Sequence, residues 1–71
     1  MKVRDFFENY NPQQSEETNL YMRDITTNSA RHDNLASFLN NNELHTDWKN
    51  AKILVWYITG NEIVLTVEKE A

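Results

Sequence analysis

Residues 51–68, which read AKILVWYITGNEIVLTVE, contain two runs of β-branched and aromatic residues on either side of Gly60 and Asn61. Runs of this composition are typical of β-strands. A two-residue connection that begins with glycine favours a hairpin with a type II′ turn, because glycine readily adopts the positive φ that this turn requires. The stretch therefore predicts a C-terminal β-hairpin.

The predicted turn also determines which residues of the hairpin oppose each other. Residues at equal distances from the turn face one another across the two strands and share one face of the sheet. One face is then wholly apolar, with the opposed pairs Leu54 and Val67, Trp56 and Leu65, and Ile58 and Ile63. The other face is mixed, with the opposed pairs Ile53 and Glu68, Val55 and Thr66, and Tyr57 and Val64. We expect the Trp56 face to be buried and the Tyr57 face to be outermost.

Two short amphipathic helices are predicted outside the hairpin. Apolar residues with the spacing of one helical face indicate a helix over residues 2–10, ended by Asn11 and Pro12, and a second over residues 35–41, capped by Asp33 or Asn34. The residues that form these two apolar stripes are Val3, Phe6, Phe7 and Tyr10 in the first helix and Leu35, Phe38 and Leu39 in the second. Both stripes require a surface to cover, and the apolar hairpin face provides one.

Residues 19–26 have the composition of a strand but alternate imperfectly, because Asp24 falls in phase with Leu20 and Met22. This pattern favours an edge strand. Residues 27–34 have almost no apolar side chains and predict a loop or an irregular turn. The whole chain, residues 1–71, is thus predicted to be a single α+β domain. The predicted order is helix, strand, helix, strand, strand, with a largely antiparallel sheet and both helices on one face.

Composition excludes several classes of function. The chain has 71 residues, no Cys, one Gly and a net charge of -4. Absence of Cys excludes disulfide scaffolds and thiolate metal sites and favours a cytoplasmic location. The acidic balance disfavours binding to nucleic acid. The longest apolar run, Ile53 to Ile58, is too short to cross a membrane. In residues 1–10, Arg4, Asp5 and Glu8 interrupt the apolar residues, so no apolar core of signal-peptide length is present.

One group of residues has the chemistry of a metal or acid–base site: His32, Asp33, His45 and Asp47. Imidazole and carboxylate groups would hold Zn²⁺ or Mn²⁺ if the two segments met in space. Capping explains the spacing better, since Asp33 precedes a predicted helix and Thr46 or Asp47 precedes a predicted turn. We therefore predict no cofactor and no catalytic activity, because the chain also lacks a nucleophile elbow and a phosphate-binding loop.

The outer hairpin face is the predicted interaction surface, formed by Ile53, Val55, Tyr57 and Val64. An apolar patch on a small protein usually marks an interface or is covered by another segment. Three occupants fit this pattern: the residues around Trp48, a second copy of the chain in a homodimer, or another protein. Base stacking on Tyr57, near Lys49 and Lys52 in sequence, is the nucleic-acid alternative.

Four segments carry a resemblance to known proteins: residues 1–7, 20–24, 52–56 and 61–67. In these segments the chain resembles small uncharacterised proteins encoded in phages and prophages of Gram-positive bacteria. It implies a bacterial or phage cytoplasmic setting and an accessory role. Our hypothesis is a noncatalytic protein-interaction module, with two alternatives: a nucleic-acid-related protein, as a weak binder or an acidic DNA mimic, and a small metal-dependent enzyme.

Overall fold

The computed structural model describes residues 1–8, 17–40 and 46–69. Within these ranges the chain forms three short helices and four strands. In chain order they are α1 (Val3–Phe6), β1 (Asn19–Asp24), β2 (Ser29–Asn34), α2 (Leu35–Asn40), α3 (Thr46–Lys49), β3 (Lys52–Thr59) and β4 (Glu62–Glu68). The protein is therefore α+β, as predicted.

The four strands make one mixed sheet in the order β2-β1-β4-β3. Two antiparallel hairpins, β1–β2 and β3–β4, are joined where β1 and β4 lie parallel. The prediction of a largely antiparallel sheet is thus correct for the hairpins and wrong at the centre. The prediction of an edge strand near residues 19–26 is also wrong, because β1 pairs on both sides.

Residues 29–34 form strand β2 where a loop was predicted. The backbone of β2 pairs along the whole of β1, from Asn19 opposite Asn34 to Asp24 opposite Ser29. Its polar side chains are compatible with this position, because an edge strand needs only one paired side and is commonly charged. Asn28, with a φ of 57°, helps the chain to reverse between the two strands.

The hairpin of β3 and β4 has the predicted register from Val55 to Thr59. Gly60 has a φ of 57°, whereas the φ of Asn61 is not positive, because Asn28 is the one described non-glycine residue with a positive φ. A positive φ followed by a negative one is the combination expected in a type II′ turn. A β-bulge at Leu54 then shifts the register by one residue. Ile53, and not Leu54, opposes Val67.

Substituting Gly60→Ala is expected to lower the free energy of unfolding by about 1–2 kcal/mol, because an L-residue at this φ is strained. A Cβ at this position would meet no atom within 4 Å, so the cost arises from the backbone alone. Urea denaturation checks the value. A Gly60→Asn variant should lose less, because asparagine tolerates the left-handed region better than alanine; equal losses would contradict a conformational cause.

The core lies between the helices and one face of the sheet. Its fully or nearly fully buried apolar residues are Val3, Phe7, Leu20, Met22, Leu35, Phe38, Trp48, Ala51, Ile63, Leu65 and Val67. Phe6, Leu39 and Ile53 pack against this cluster and are half-buried. The helices therefore lie on one face, as predicted, and the β4 half of the predicted apolar hairpin face is confirmed.

The β3 half of that face was predicted to be buried, and this prediction is wrong. Leu54, Trp56 and Ile58 are exposed, with 53% of Trp56 accessible to solvent. The cause is the position of β3 at the edge of the sheet, since the buried residues of all three helices pack with residues of β1 and β4.

Helix α2 begins where it was predicted and ends within one residue of the predicted end. Asn34 caps it, because its Oδ1 accepts a hydrogen bond from the Ser37 N–H at 3.2 Å. Helix α1 is shorter than predicted and ends at Phe6. Tyr10, Asn11 and Pro12 lie outside the described residues.

Candidate protein-interaction surface

The outer edge of β3 is paired only at its beginning. Met1, Lys2 and Val3 lie antiparallel to residues 51–53, where Lys2 and Lys52 form an isolated bridge. The Ile53 N–H donates to the Met1 carbonyl at 2.8 Å, and the Val3 N–H donates to the Ala51 carbonyl at 3.0 Å. Helix α1 then begins, and the Asp5 carboxylate accepts the Lys2 N–H at 3.1 Å. From Leu54 to Thr59, none of the residues that the structure describes pairs with this edge.

Five consecutive large apolar side chains are exposed along this unpaired part of β3. We call residues 54–58, Leu-Val-Trp-Tyr-Ile, the β3 patch. Their accessible fractions range from 40% for Leu54 to 60% for Ile58. Trp56 and Ile58 lie on the side of the sheet that carries the helices, whereas Val55 and Tyr57 lie on the opposite, open face. The strand is thus apolar on both faces as well as unpaired along its edge.

Trp56 is oriented by a contact with α1. Its ring centroid lies 5.2 Å from that of Phe6, with the two planes at 64°, and Phe6 in turn packs edge-on against Phe7. Such edge-to-face pairs are favourable because of the quadrupoles of the rings. One side of the indole is therefore supported by α1, while more than half of its surface remains accessible.

The predicted interaction surface is only partly reproduced by the geometry. Val55, Tyr57 and Val64 share the open face, with Val64 half-buried between its neighbours. Ile53 does not belong to this face: the bulge at Leu54 places it opposite Val67, where it packs against the core.

The open face also carries a row of side chains that crosses the whole sheet. Tyr57, Val64, Tyr21 and His32 are opposed in succession on β3, β4, β1 and β2. The Tyr21 and His32 rings lie 5.9 Å apart. The His32 Nε2 lies 3.1 Å from the Glu62 carboxylate, so an acidic group flanks the row.

The three candidate metal residues that the structure describes, His32, Asp33 and Asp47, do not form one cluster. His32 and Asp33 are neighbours on β2, so their side chains point to opposite faces of the sheet. Asp33 is paired with Arg31 at 3.2 Å, and Asp47 is paired with Lys69 at 3.1 Å. His45 lies outside the described residues. Among the residues described, no three His, Asp or Glu side chains are grouped so that they could hold a metal ion.

Asp47 instead belongs to a contact between α3 and residue 69, just beyond β4. Burial raises the pKa of its carboxyl, but the hydrogen bonds from Lys69 and from the Trp48 N–H, together with the positive charge of Lys69, outweigh that effect, so that the pKa lies below its usual value. The Lys69 Nζ also lies 3.7 Å from the centre of the Trp48 ring. This cation–π contact holds the buried Trp48 in place.

A shallow cleft beside α1 is lined by Arg4, Asp5, Glu8 and Lys49. Burial lowers the pKa of Lys49, and the charge of Arg4 lowers it further. Two cations face two carboxylates there, so the cleft carries no excess charge that would select an ionic ligand.

Comparisons with known proteins provide no relative for this chain. No family model, no curated protein and no solved structure matches it. In the part of the chain that the structure describes, no helix has the length and hydropathy needed to cross a membrane. The candidate site therefore depends on the geometry of β3.

Sequence reasoning assigned Leu54, Trp56 and Ile58 to the core and so missed three of the five residues of the β3 patch. A signal was present, because residues 53–58 form an unbroken apolar run. Such a run predicts a strand that is apolar on both faces. In an edge strand without a covering layer, both faces are accessible.

Proposed function

We propose that this protein is a noncatalytic protein-interaction module whose contact surface is the β3 patch. The observation that carries the proposal is the coincidence, in residues 54–58, of an unpaired strand edge with exposed apolar side chains on both faces. Apolar patches of this kind on small proteins mark interaction sites. We extend the proposal to an accessory role in a phage or its bacterial host, which is what the sequence resemblance implies.

The chemistry of the edge favours a protein partner. An unpaired strand offers a row of backbone N–H and C=O groups, which another polypeptide satisfies by adding a strand. Natural sheets protect edges with charged residues or proline, yet residues 53–59 contain neither. The opposite edge, β2, carries Arg31, His32 and Asp33 and is protected in this way.

Site-specific photocrosslinking tests the proposal. With p-benzoylphenylalanine at position 57, irradiation in a bacterial host should yield protein adducts. Position 25 is the matched control, because Ile25 is 54% exposed but lies in the β1–β2 connection, away from the patch. Protein adducts at position 57 and not at position 25 support a contact surface at β3, whichever protein is crosslinked. Equal yields at both positions, or none at position 57, contradict it.

Binding of single-stranded nucleic acid is the second candidate, because the aromatic row of Tyr57, Tyr21 and His32 lies on an open sheet face. Aromatic side chains on such faces stack bases. The net charge of -4 and the neighbouring Glu62 oppose a polyanion. Tyr21 belongs to the aromatic row but not to the β3 patch, so its substitution distinguishes nucleic-acid binding from protein binding. If nucleic acid is the ligand, Tyr21→Ala abolishes oligonucleotide retention at low salt; if protein is the ligand, adducts at position 57 persist in that variant.

A further inference from the structure

We infer that the partner of the β3 patch is a second copy of this chain, bound by antiparallel pairing of β3 with its counterpart about a two-fold axis next to Tyr57. The inference rests on the proposed function and deepens it, because it names the partner and the register. The paired sheets would form one continuous eight-stranded sheet.

The hairpin determines which backbone groups of β3 point outward. Thr59 and Glu62 flank a two-residue turn and form a hydrogen-bonded pair, and bonded and non-bonded pairs alternate from there. Thr59, Tyr57 and Val55 therefore direct their N–H and C=O groups toward β4. Trp56 and Ile58 direct theirs outward, where no described residue pairs with them.

Met1 limits the register of a second β3 strand. Because Lys2 opposes Lys52, Met1 occupies the position opposite Ile53 on the outer edge. None of the described residues pairs with the edge beyond this point, so an added strand is placed from Leu54 onward. The added strand ends at its own turn, which begins at Gly60. The register that fills the free edge without a clash with Met1 therefore places the partner's Gly60 opposite Leu54.

This register is centred on Tyr57. Tyr57 then opposes the partner's Tyr57 on the open face, and Trp56 opposes the partner's Ile58 on the helix-bearing face. Trp56 and Ile58 are the outward-directed residues, so each such pair exchanges two backbone hydrogen bonds. Opposed residues in an antiparallel pair share a face, which a two-fold axis perpendicular to the sheet preserves.

Self-pairing matches the patch better than a partner that covers one face. A helix laid on the sheet would contact either Trp56 and Ile58 or Val55 and Tyr57, whereas an added β3 strand brings apolar side chains to both faces at once. At their accessible fractions, the five side chains present roughly 500 Å² per chain. Because edge pairing covers only part of each side chain, two copies would bury at most about 1,000 Å² of this side-chain surface, the lower end for a specific interface, which predicts a weak, reversible dimer.

The other edge of the sheet predicts that assembly stops at the dimer. After pairing, both ends of the sheet are β2 strands. Arg31 and Asp33 form an ion pair on β2, and His32 contacts Glu62, so these edges carry the charges that discourage further strand addition. A closed pair is therefore expected, and not a fibre.

Disulfide crosslinking tests the register, since the chain contains no Cys. In a non-hydrogen-bonded antiparallel pair the two Cα atoms lie about 4.5 Å apart, within the range that a disulfide spans. Tyr57→Cys should therefore yield a covalent dimer rapidly under mild oxidation, whereas the exposed control Ile25→Cys should not. Equal rates overturn the inference. Faster linkage of Trp56→Cys than of Tyr57→Cys overturns the register.

A second experiment uses the chain without Cys. Ile58→Pro removes the outward N–H but keeps the pairing with β4, and Ile58→Ala keeps the N–H while also removing the branched side chain. By sedimentation equilibrium, Ile58→Pro should raise the dimer dissociation constant about tenfold or more relative to Ile58→Ala, because two hydrogen bonds per dimer are lost. Equal constants, or a wild-type monomer at every concentration, overturn the inference. Adducts with a different protein at position 57 would then leave the proposed function standing.

Discussion

Replacing Phe38 with alanine is expected to lower the free energy of unfolding by about 3–5 kcal/mol, the cost of emptying a large buried site. Phe38 is the largest side chain that is completely buried, and α2 places it in the main apolar cluster. The Lys49 Nζ lies 5.5 Å from the centre of its ring, so the substitution also removes a cation–π contact. A chain of 71 residues has a total stability of about 4–10 kcal/mol. The substitution is therefore expected to remove much of the total free energy of unfolding.

Thermal and urea denaturation, followed by circular dichroism, measure this loss. Leu39→Ala is the matched control, because Leu39 belongs to the same helix but is half-buried at the margin of the cluster. Its loss should be clearly smaller. Losses of equal size would mean that the core is not centred on Phe38, and the assignment of the helix-bearing face would fail with it.

The helices that build the core are short, and this explains why β3 is exposed. Helix α2 has six residues and is about 9 Å long. Neighbouring strands lie about 4.8 Å apart, so the four-stranded sheet is about 14 Å wide, more than the length of any of the three helices. They cover β1 and β4, and the apolar side chains of β3 remain accessible. The β3 patch is apolar although no helix layer covers it. An apolar pattern alone therefore predicted burial that does not occur.

Local rules predicted the parts of the fold that depend on local chemistry. Turn chemistry predicted the hairpin at Gly60, its register as far as Val55 and the pairing of Tyr57 with Val64. Helical spacing predicted α2 and the apolar face of α1. The bulge at Leu54 was not predicted; it lies next to residues 51–53, whose backbone pairs with Met1 and Val3 on the other side. That contact is non-local and leaves no periodic signal.

The predictions that failed concern pairing between distant segments. Strand β2 has few apolar residues, so its sequence resembles a loop, and only its pairing with β1 makes it a strand. The interior position of β1 follows from its parallel pairing with β4, more than thirty residues away in sequence. The candidate site was affected in the same way. Exposure of Val55 and Tyr57 was predicted, but the edge position of β3, which also exposes Trp56 and Ile58, was not.

Asp24 is the second residue at which a large effect is expected, and its burial in phase with Leu20 and Met22 explains the broken alternation of β1. The side chain is completely buried and its carboxylate joins the β1–β2 turn to the end of β4. It accepts hydrogen bonds from the N–H groups of Thr26 and Thr27, from the Thr27 hydroxyl at 2.6 Å, and from the Lys69 N–H at 3.1 Å. In an Asp24→Asn variant one oxygen still accepts, but the donors bonded to the other carboxylate oxygen lose their acceptor and face an NH2 group that is itself a donor.

Asp24→Asn is therefore expected to lower the melting temperature strongly at neutral pH, and the difference from wild type should depend on pH. Burial alone would raise the pKa of Asp24, but the hydrogen bonds from Thr27, Lys69 and Thr26 outweigh it, so that the pKa lies well below its usual value. A carboxyl whose pKa is lowered by folding stabilises the folded state above its unfolded pKa, and this contribution is lost as the pH falls toward the folded pKa. The difference in melting temperature should thus be largest near neutral pH and shrink below about pH 4.

Thermal denaturation of both proteins across this pH range measures the effect. Asp47→Asn is the control, because Asp47 also has a lowered pKa but is largely exposed, where an ion pair contributes little to stability. Thr27→Ala removes one donor from the Asp24 set and should produce a smaller loss with the same dependence on pH. A difference between wild type and Asp24→Asn that stays constant from neutral to acidic pH would show that the carboxylate charge does not hold the β1–β2 turn against β4.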